Sequence, residues 1–219
     1  MGVVFEAEQI HPKRFVAVKM ILEGMDRKEV LARFNGEKEA LARMDHPNIA
    51  RVIDSGASPS GKPYFVMEFV KEEPITGYCD RKKMSTNDRL ELFRLVCSTV
   101  QHAHQKGIIH RDIKPSNVLV EEIDGKSVPK VIDFGLAKAL AGKLTDKTLI
   151  SESGKTVGTL IYSSPEQAAG RTYVIDTRTD IYSLGVLLYE LLAGEPPFTE
   201  EHLKEVGDDA MKREIIDSC

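Results

Sequence analysis

The first 70 residues alternate short apolar segments with polar turns, a pattern typical of β-strands. Residues 3–8 and 15–21 are rich in β-branched and aromatic side chains and are separated by a basic turn, so we predict a hairpin there. Residues 49–55 and 64–70 have the same character and add two strands around a turn at residues 58–63. A small sheet should therefore dominate this part of the chain.

Helical spacing of apolar residues interrupts the sheet once and then dominates the rest of the chain. Residues 27–44 repeat apolar side chains at this spacing until Pro47, which predicts one helix between the strands. Further along, Ser85 and Asp88 form the pattern of a capping box ahead of an apolar face that Gly107 closes. We therefore predict a long helix that starts after Ser85.

Two more helices and a second hairpin are predicted beyond it. Residues 181–193 are the most apolar segment, shorter than the roughly 20 residues that span a bilayer, and we interpret them as a buried helix. Residues 202–216 are amphipathic and predict one final helix. The strand-like residues 117–121 and 128–132 flank Asp124-Gly125, which favours a tight hairpin turn. Residues 138–159 show little periodicity, and a loop of that length is usually functional or disordered.

Composition and charge narrow the functional classes. With 42% hydrophobic and 29% charged residues, the 219-residue chain has enough apolar material for a folded core. Its 30 basic and 34 acidic residues give a net charge of -4, so we expect no nucleic-acid partner, and phosphate-binding chemistry has to be local. The cysteines Cys79, Cys97 and Cys219 form no CxxC pair, which argues for reduced thiols. We expect no signal peptide and no membrane segment in this chain.

Five short motifs stand in a fixed order along the chain. Residues 110–117 (HRDIKPSN) and 133–135 (DFG) resemble the catalytic loop and the metal-binding motif of protein kinases. Residues 16–19 (VAVK) resemble the strand with the phosphate-binding lysine, residues 164–166 (SPE) stand where the family has Ala-Pro-Glu, and Asp180 matches a helix aspartate of the family. On these residues the chain is identified as a member of the bacterial serine/threonine protein kinases with a eukaryote-like fold.

The resemblance implies an α+β, bilobal protein-kinase-like fold. Residues 1–69 would form a small β-rich N-lobe with one main helix, and residues 70–219 a larger α-helical C-lobe. Of the three glycines in the family's phosphate loop the chain carries the last, Gly2, so we expect a catalytic domain that lacks the first strand and part of this loop. We also expect it to end early, which would leave Glu166 without an arginine partner and an apolar patch exposed.

A site for ATP and a divalent cation is also implied, because phosphoryl transfer needs positioning and charge neutralisation more than covalent chemistry. Asp112 would accept the substrate proton, and Lys114 would neutralise charge on the transferred group. Asn117 and Asp133 would bind Mg²⁺, with Mn²⁺ as the alternative. Thr159 resembles the loop threonine that ties Lys114 to Asp112.

The nucleotide would be held between the sheet of the N-lobe and the start of the C-lobe. Lys19 would bind the α and β phosphates and pair with Glu37, or more weakly with Glu39. Met67 would be the gatekeeper and would also pack in the core, while Asp180 could simply be a helix N-terminal acid. The residues that would line the nucleotide pocket are Gly2, Val4, Ala17, Lys19, Met67, Glu68, Val70 and Leu119.

The implied partners are protein substrates with Ser or Thr acceptors, and self-association for trans-autophosphorylation is a further expectation. Arg111, beside the proton acceptor, indicates regulation by a phosphate on the loop after residue 138. The candidate acceptors in that loop are Thr145, Thr148, Ser151, Ser153 and Thr156, of which Thr156 is the first to test. We expect a cytoplasmic location, either for this chain or for a larger, membrane-anchored protein of which it is a domain.

Other interpretations compete with this one. A truncated or pseudokinase-like module would keep the fold and bind nucleotide or partners without efficient catalysis. Residues 154–156 (GKT) resemble the end of a P-loop, but Leu149 stands where that motif needs glycine. His102, His104 and His110 suggest a metal site, but helix residues two apart do not share a face, so we favour a partly exposed His102 and a packed His110.

Overall fold

The computed structural model describes residues 2–21, 44–71, 73–134, 160–171 and 174–217. The fold is α+β, with a sheet in the N-terminal part and mainly helices in the C-terminal part, as the sequence predicts. The predicted helix at residues 27–44, the loop at residues 138–159 and Gly135 lie outside the described residues, apart from Met44. So do Glu37, Thr159 and the candidate phosphorylation positions.

The N-terminal sheet has the strand order β1-β2-β4-β3. Its strands are β1 (Gly2–Gln9), β2 (Arg14–Ile21), β3 (Val52–Ala57) and β4 (Pro63–Glu68), all in antiparallel pairs, which confirms the predicted first hairpin. Residues directly opposite each other share a face of the sheet. Val4 lies opposite Lys19, Lys19 opposite Phe65, and Ala17 opposite Met67. Because Phe65 and Met67 are buried, this is the face that packs onto the rest of the molecule.

Two strand boundaries differ from the prediction. The strand expected at residues 49–55 begins at Val52, and Ile49 instead pairs in parallel with Val131 of a second hairpin. The Ala50 N–H donates to the Val131 carbonyl over 3.0 Å, and the Val131 N–H donates to the Asn48 carbonyl over 2.7 Å. The apolar pattern does not show which strand satisfies these backbone groups. The strand expected at residues 64–70 ends at Glu68, so Val70 lies beyond it.

The C-terminal part starts with β5 (Glu73–Pro74), α1 (Ile75–Arg81) and α2 (Thr86–Gln105). Ser85 caps α2 as predicted, and its hydroxyl accepts from the Asp88 N–H over 3.3 Å. The Asp88 carboxylate does not return to the Ser85 N–H as in a full capping box, because it accepts from the Ser85 hydroxyl over 2.6 Å. Gly107, with φ of +74°, follows the helix end.

The second hairpin follows a short 3₁₀ turn at Pro115–Asn117. It consists of β6 (Val118–Ile123) and β7 (Lys126–Val131), and β5 pairs with the other edge of β6. Asp124 and Gly125 both have positive φ, 50° and 73°, as a two-residue hairpin turn of type I′ requires, so the predicted turn is confirmed.

Four helices are described after residue 160, and two predictions about them are wrong. They are α3 (Pro165–Ala168), α4 (Thr177–Ala193), α5 (Glu200–Val206) and α6 (Asp208–Asp217). The single helix predicted at residues 202–216 is divided at Gly207, whose φ is 81°. The helix α4 is buried on one side only, because Ile181, Tyr189 and Leu192 on its other side are exposed.

One hydrophobic core joins α1, α2 and α4 to both sheets, and a second, smaller one contains Leu203, Met211 and Ile215 of α5 and α6. Val96 and Val100 of α2, Val118 and Val120 of β6 and Leu187 of α4 all belong to the first core. Each such side chain contributes about 1.5–3 kcal/mol by leaving water. Among the helices that the structure describes, none has the length and apolar character needed to cross a bilayer.

Candidate active site

The catalytic-loop motif folds so that three of the predicted residues meet. The 3₁₀ turn turns Asn117 back toward Asp112, and its Nδ2 donates to the Asp112 carbonyl over 2.7 Å and to Asp112 Oδ2 over 2.9 Å. Lys114 Nζ lies 3.0 Å from the same Oδ2. Two donors therefore orient the Asp112 carboxylate, whose side chain keeps 31% of its exposure.

His110 connects this loop to the segment that carries Asp133. Its ring is fully buried, its Nε2 donates to the Ile132 carbonyl over 2.9 Å, and its Nδ1 accepts from the Asp112 N–H over 3.2 Å. The ring also meets Phe134 edge to face at 4.6 Å between centroids. The prediction of a packed His110 is confirmed, but the sequence reasoning missed that this ring bridges two motifs.

Asp180, in the first turn of α4, binds the backbone of the same loop. Its side chain is 0% exposed, Oδ2 accepts from the His110 N–H over 2.8 Å, and Oδ1 accepts from the Arg111 N–H over 2.7 Å. His104 Nε2 lies 2.6 Å from Oδ2. These bonds hold Arg111 at a φ of 69°, a left-handed conformation that costs about 1–3 kcal/mol outside glycine. Asp180 is thus more than an acid at a helix N-terminus.

Lys19 and Asp133 form the ion pair that joins the two parts of the site. Nζ of Lys19 lies 2.7 Å from Asp133 Oδ2, and the side chains keep only 15% and 18% of their exposure. The sequence predicted Glu37 as the partner of Lys19, and that residue lies outside the described part of the chain. Asp133 has a φ of 66°, which its short polar side chain tolerates better than most residues do.

The second oxygen of Asp133 fits a cation ligand. Oδ1 is buried, and no donor among the described residues is within hydrogen-bond distance of it. Asn117 lies beside this segment because its carbonyl accepts from the Ile132 N–H over 3.0 Å, and its amide nitrogen is already bound to Asp112. Carboxylate and amide oxygens are the ligands that Mg²⁺ prefers.

The described residues contain no group of three or more His, Cys, Asp or Glu that could hold a metal unaided. At nucleotide sites Mg²⁺ is bound by one or two protein ligands together with phosphate oxygens, and Asp133 with the neighbouring Asn117 offers ligands of that kind. The residues present therefore fit a divalent cation that arrives with a nucleotide.

Three of the residues predicted to contact the base share the face of the N-terminal sheet that carries Lys19. Val4, 55% exposed, and Ala17 share the face of the N-terminal sheet that carries Lys19, and Met67 is buried in the core behind them. Leu119 lies on the face of β6 opposite to the buried Val118 and Val120. Gly2 begins β1, Glu68 ends β4 and Val70 is partly buried beyond it. Their contact with a nucleotide stays a prediction.

Glu68 has contacts that the sequence reasoning missed. Its Oε1 lies 2.8 Å from Lys130 Nζ, and its Oε2 accepts from the Arg51 N–H over 3.1 Å. The turn at Asp124-Gly125 fixes the hairpin register and so places Lys130 opposite Leu119, but no local signal indicates the contact with Glu68.

Two carboxylates near residue 164 are held by hydroxyl groups. Glu166 accepts from the Thr179 hydroxyl, and although burial raises the pKa of Glu166, hydrogen bonds from Thr179, from the backbone and from Ser164 outweigh it and lower the pKa overall. The Tyr162 hydroxyl donates to Glu190 over 2.7 Å, and burial raises the pKa of both partners.

The three histidines of the α2 region do not converge. His104 contacts Asp180 and His110 contacts Ile132, whereas His102 stacks on His46 with ring centroids 4.9 Å apart. Burial, followed by the charge of His102, lowers the pKa of His46. The Nε2 atom of His102 is buried and has no hydrogen-bond partner within the described ranges.

Comparisons with known proteins agree with the geometry. The family described as Protein kinase domain matches residues 1–218. A probable serine/threonine-protein kinase PknB of Bifidobacterium longum is 41% identical over 196 residues, 85% of this chain and 27% of that protein. The serine/threonine-protein kinase PknB of Mycobacterium leprae is 37% identical over 203 residues, 90% of this chain and 31% of that protein. The chain spans less than a third of the length of these relatives.

Proposed function

Since this chain belongs to the protein kinase domain family, we propose that it transfers the γ-phosphate of ATP to serine and threonine hydroxyls of proteins. The names of the similar bacterial proteins, which are serine/threonine-protein kinases, support this choice of acceptor. The observation that carries the proposal is the meeting of Asp112, Lys114 and Asn117 on one side and Lys19 with Asp133 on the other, from motifs far apart in sequence.

Contacts support the roles proposed for Asp112, Lys114, Asn117 and Lys19, whereas the roles of Glu37 and Thr159 rest on the family resemblance. Lys114 and Asn117 orient Asp112 through Oδ2, so that Oδ1 would accept the proton of the substrate hydroxyl. The oxygen of that hydroxyl would bond to the γ-phosphorus, the bond from phosphorus to the β–γ bridging oxygen would break, and ADP would leave. Lys19 would bind the α and β phosphates, with Glu37 as its proposed partner, and Thr159 would tie Lys114 to Asp112.

Asp133 and Asn117 would hold the divalent cation, which neutralises phosphate charge when bound. The family implies ATP and a divalent metal, and we propose Mg²⁺, with Mn²⁺ as the alternative, because Asp133 and Asn117 offer hard oxygen ligands. Lys19 must exchange part of its contact with Asp133 for phosphate oxygens, so that the ion pair seen here holds both groups in place until the nucleotide arrives.

We further propose that residues 1–69 form the N-lobe and residues 70–219 the C-lobe, with the adenine between Val4, Ala17 and Leu119. The substrates would be proteins, and the regulation would be phosphorylation of the loop near Thr156, in trans between two copies. A cytoplasmic location, alone or as a domain of a membrane-anchored protein, belongs to the same proposal.

Radiolabelled phosphate transfer from ATP to a generic protein substrate tests the activity. Asp112→Asn keeps the hydrogen-bond geometry but removes the base, and we expect a loss of at least about 100-fold. Asp124→Asn in the exposed hairpin turn is the matched control and should transfer phosphate like the wild type. If Asp112→Asn and the wild type transfer equally, the assigned proton acceptor is wrong. If neither transfers while both bind nucleotide, the pseudokinase-like alternative is correct.

A further inference from the structure

Lys130 lies outside the motifs that support the proposed function, yet its ammonium group is nearly buried. The side chain is 11% exposed, and Nζ lies 2.8 Å from Glu68 Oε1. An ammonium group withdrawn from water to this extent needs a hydrogen-bonded carboxylate, because the loss of hydration is otherwise not compensated. Glu68 is that carboxylate.

Glu68 is in turn held on its other side. Its Oε2 accepts from the Arg51 N–H over 3.1 Å, and its own N–H donates to the Arg51 carbonyl over 2.9 Å. One carboxylate therefore joins the end of β4 to the segment before β3 and to β7 of the second hairpin.

The position of Lys130 on β7 places the pair next to the proposed nucleotide pocket. Lys130 is directly opposite Leu119, the proposed floor of the base pocket, and lies three residues before Asp133. Asn48 fixes β7 on both sides of Lys130, because its Nδ2 donates to the Pro129 carbonyl over 2.7 Å and its carbonyl accepts from the Val131 N–H over 2.7 Å. The lysine is thus attached to a strand that does not shift independently.

We propose that the Lys130–Glu68 ion pair is a positioning device for the nucleotide. It sets the distance between the connecting segment at residues 68–70 and the floor formed by Leu119. The inference rests on the proposed function. Lys130 contacts no reacting atom in this arrangement, so it is a positioning residue. Lys19, Asp112 and Asp133 keep their own contacts when the pair is removed, so the loss falls on nucleotide binding and not on the transfer step.

A double-mutant cycle on the purified chain tests the pair. Lys130→Met keeps the unbranched aliphatic stem, and Glu68→Gln keeps an oxygen for the Arg51 N–H while removing the charge. The readouts are the Kd of a fluorescent ADP analogue with Mg²⁺, together with KM for ATP and kcat. We expect Kd and KM to rise about 5- to 10-fold in each variant, with kcat within about twofold of wild type. The double variant should be no weaker than either single variant.

Lys82→Met is the matched control. Lys82 Nζ lies 2.5 Å from Glu122 Oε2 in an exposed pair at the far end of the same hairpin, and its loss should leave Kd and KM unchanged. A general effect of removing any lysine that takes part in an ion pair at this hairpin would appear in both lysine variants, and the proposal would then be wrong.

Three results overturn the positioning role. They are an unchanged Kd in both single variants, additive effects in the double variant, and a change in kcat with unchanged Kd. Should Lys130→Met fail to fold, Glu68→Gln alone decides, because its half-exposed side chain changes by a single isosteric group. A wild-type chain that neither binds the analogue nor transfers phosphate overturns the proposed function itself. A wild-type chain that does both, with variants that match it, overturns only the positioning role.

Discussion

Two carboxylates of the site, the buried Asp180 at the start of α4 and the partly exposed Asp133 after β7, are paired to different extents. Both oxygens of Asp180 accept hydrogen bonds, and its side chain is 0% exposed. Asp133 has one oxygen paired with Lys19 and the other buried without a donor among the residues described. A carboxylate that is fully bonded has a structural role, whereas one with an unpaired oxygen is ready to bind a cation.

The difference follows from where each carboxylate lies. Asp180 receives backbone N–H groups from the loop at His110 and Arg111, which cannot leave without unfolding that loop. Among the residues that the structure describes, the Asp133 carboxylate is paired with the end of the flexible Lys19 side chain, which can move toward a phosphate. The hydrogen bonds from backbone donors to Asp180 therefore persist in the folded chain, whereas the contact of Asp133 with the Lys19 side chain can be exchanged for a ligand.

Asp133→Asn should have the largest effect, and it should be on activity. Removal of the charge weakens the hold on the cation and on Lys19, so we expect phosphate transfer to fall by about 1000-fold or more. The unfolding free energy should fall by only about 1–2 kcal/mol, because the asparagine oxygen can still accept from Lys19, 15% exposed, although the opposite charge is lost. Radiolabel transfer and urea denaturation measure the two quantities. A loss of stability larger than the loss of transition-state stabilisation would contradict the comparison.

Asp180→Asn should mainly reduce the stability of the fold. An amide can accept through one atom only, so at least one of the backbone N–H groups of His110 and Arg111 loses its acceptor. We expect the unfolding free energy to fall by about 3 kcal/mol. Asp176→Asn at the exposed N-cap of α4 is the control and should cost much less, since asparagine also caps helices. Equal costs in the two variants would show that burial of the Asp180 network adds nothing.

The His46–His102 stack gives the smallest effect, visible in the pH dependence of stability. Burial and then the charge of His102 hold the pKa of His46 below its ordinary value of 6.5. As the pH is lowered through 6.5, the unfolded chain therefore binds more protons at this position than the folded chain does. The unfolding free energy falls over this range until the pH is below the folded-state pKa of His46. His46→Gln should remove that part of the slope in urea denaturation between about pH 5 and 7, while the exposed His11→Gln should not. Identical slopes for wild type and His46→Gln would refute the assignment.

Local signals predicted much of the fold and of the site. The apolar pattern gave both hairpins, Asp124-Gly125 gave the turn, and Ser85 gave the start of α2. The motif residues Asp112, Lys114 and Asn117 come together through a turn of a few residues, which short-range chemistry specifies. Lys19 and Asp133 are 114 residues apart, and only the family resemblance predicted that they lie in the same site.

The error in the third strand has its physical origin in long-range pairing. Ile49 has the character of any strand residue, but its partner is Val131, and the apolar pattern of neither residue predicts the other. Gly207 falls within an amphipathic pattern that continues across it, but its φ of 81°, which glycine adopts readily, separates α5 from α6, so there the pattern was given more weight than a local signal. Lys130 was missed because a lysine on a short strand has no distinctive pattern until its partner is known.

The parallel bridge between Ile49 and Val131 also bears on how the N-terminal sheet can move. Among the described residues, this bridge, the chain connection after Glu68 and the Glu68–Lys130 pair all join the second hairpin to the β3–β4 side of the sheet. We therefore expect any rocking of the sheet against the hairpin to displace β1 most, because β1 is the edge strand farthest from these attachments and carries Val4.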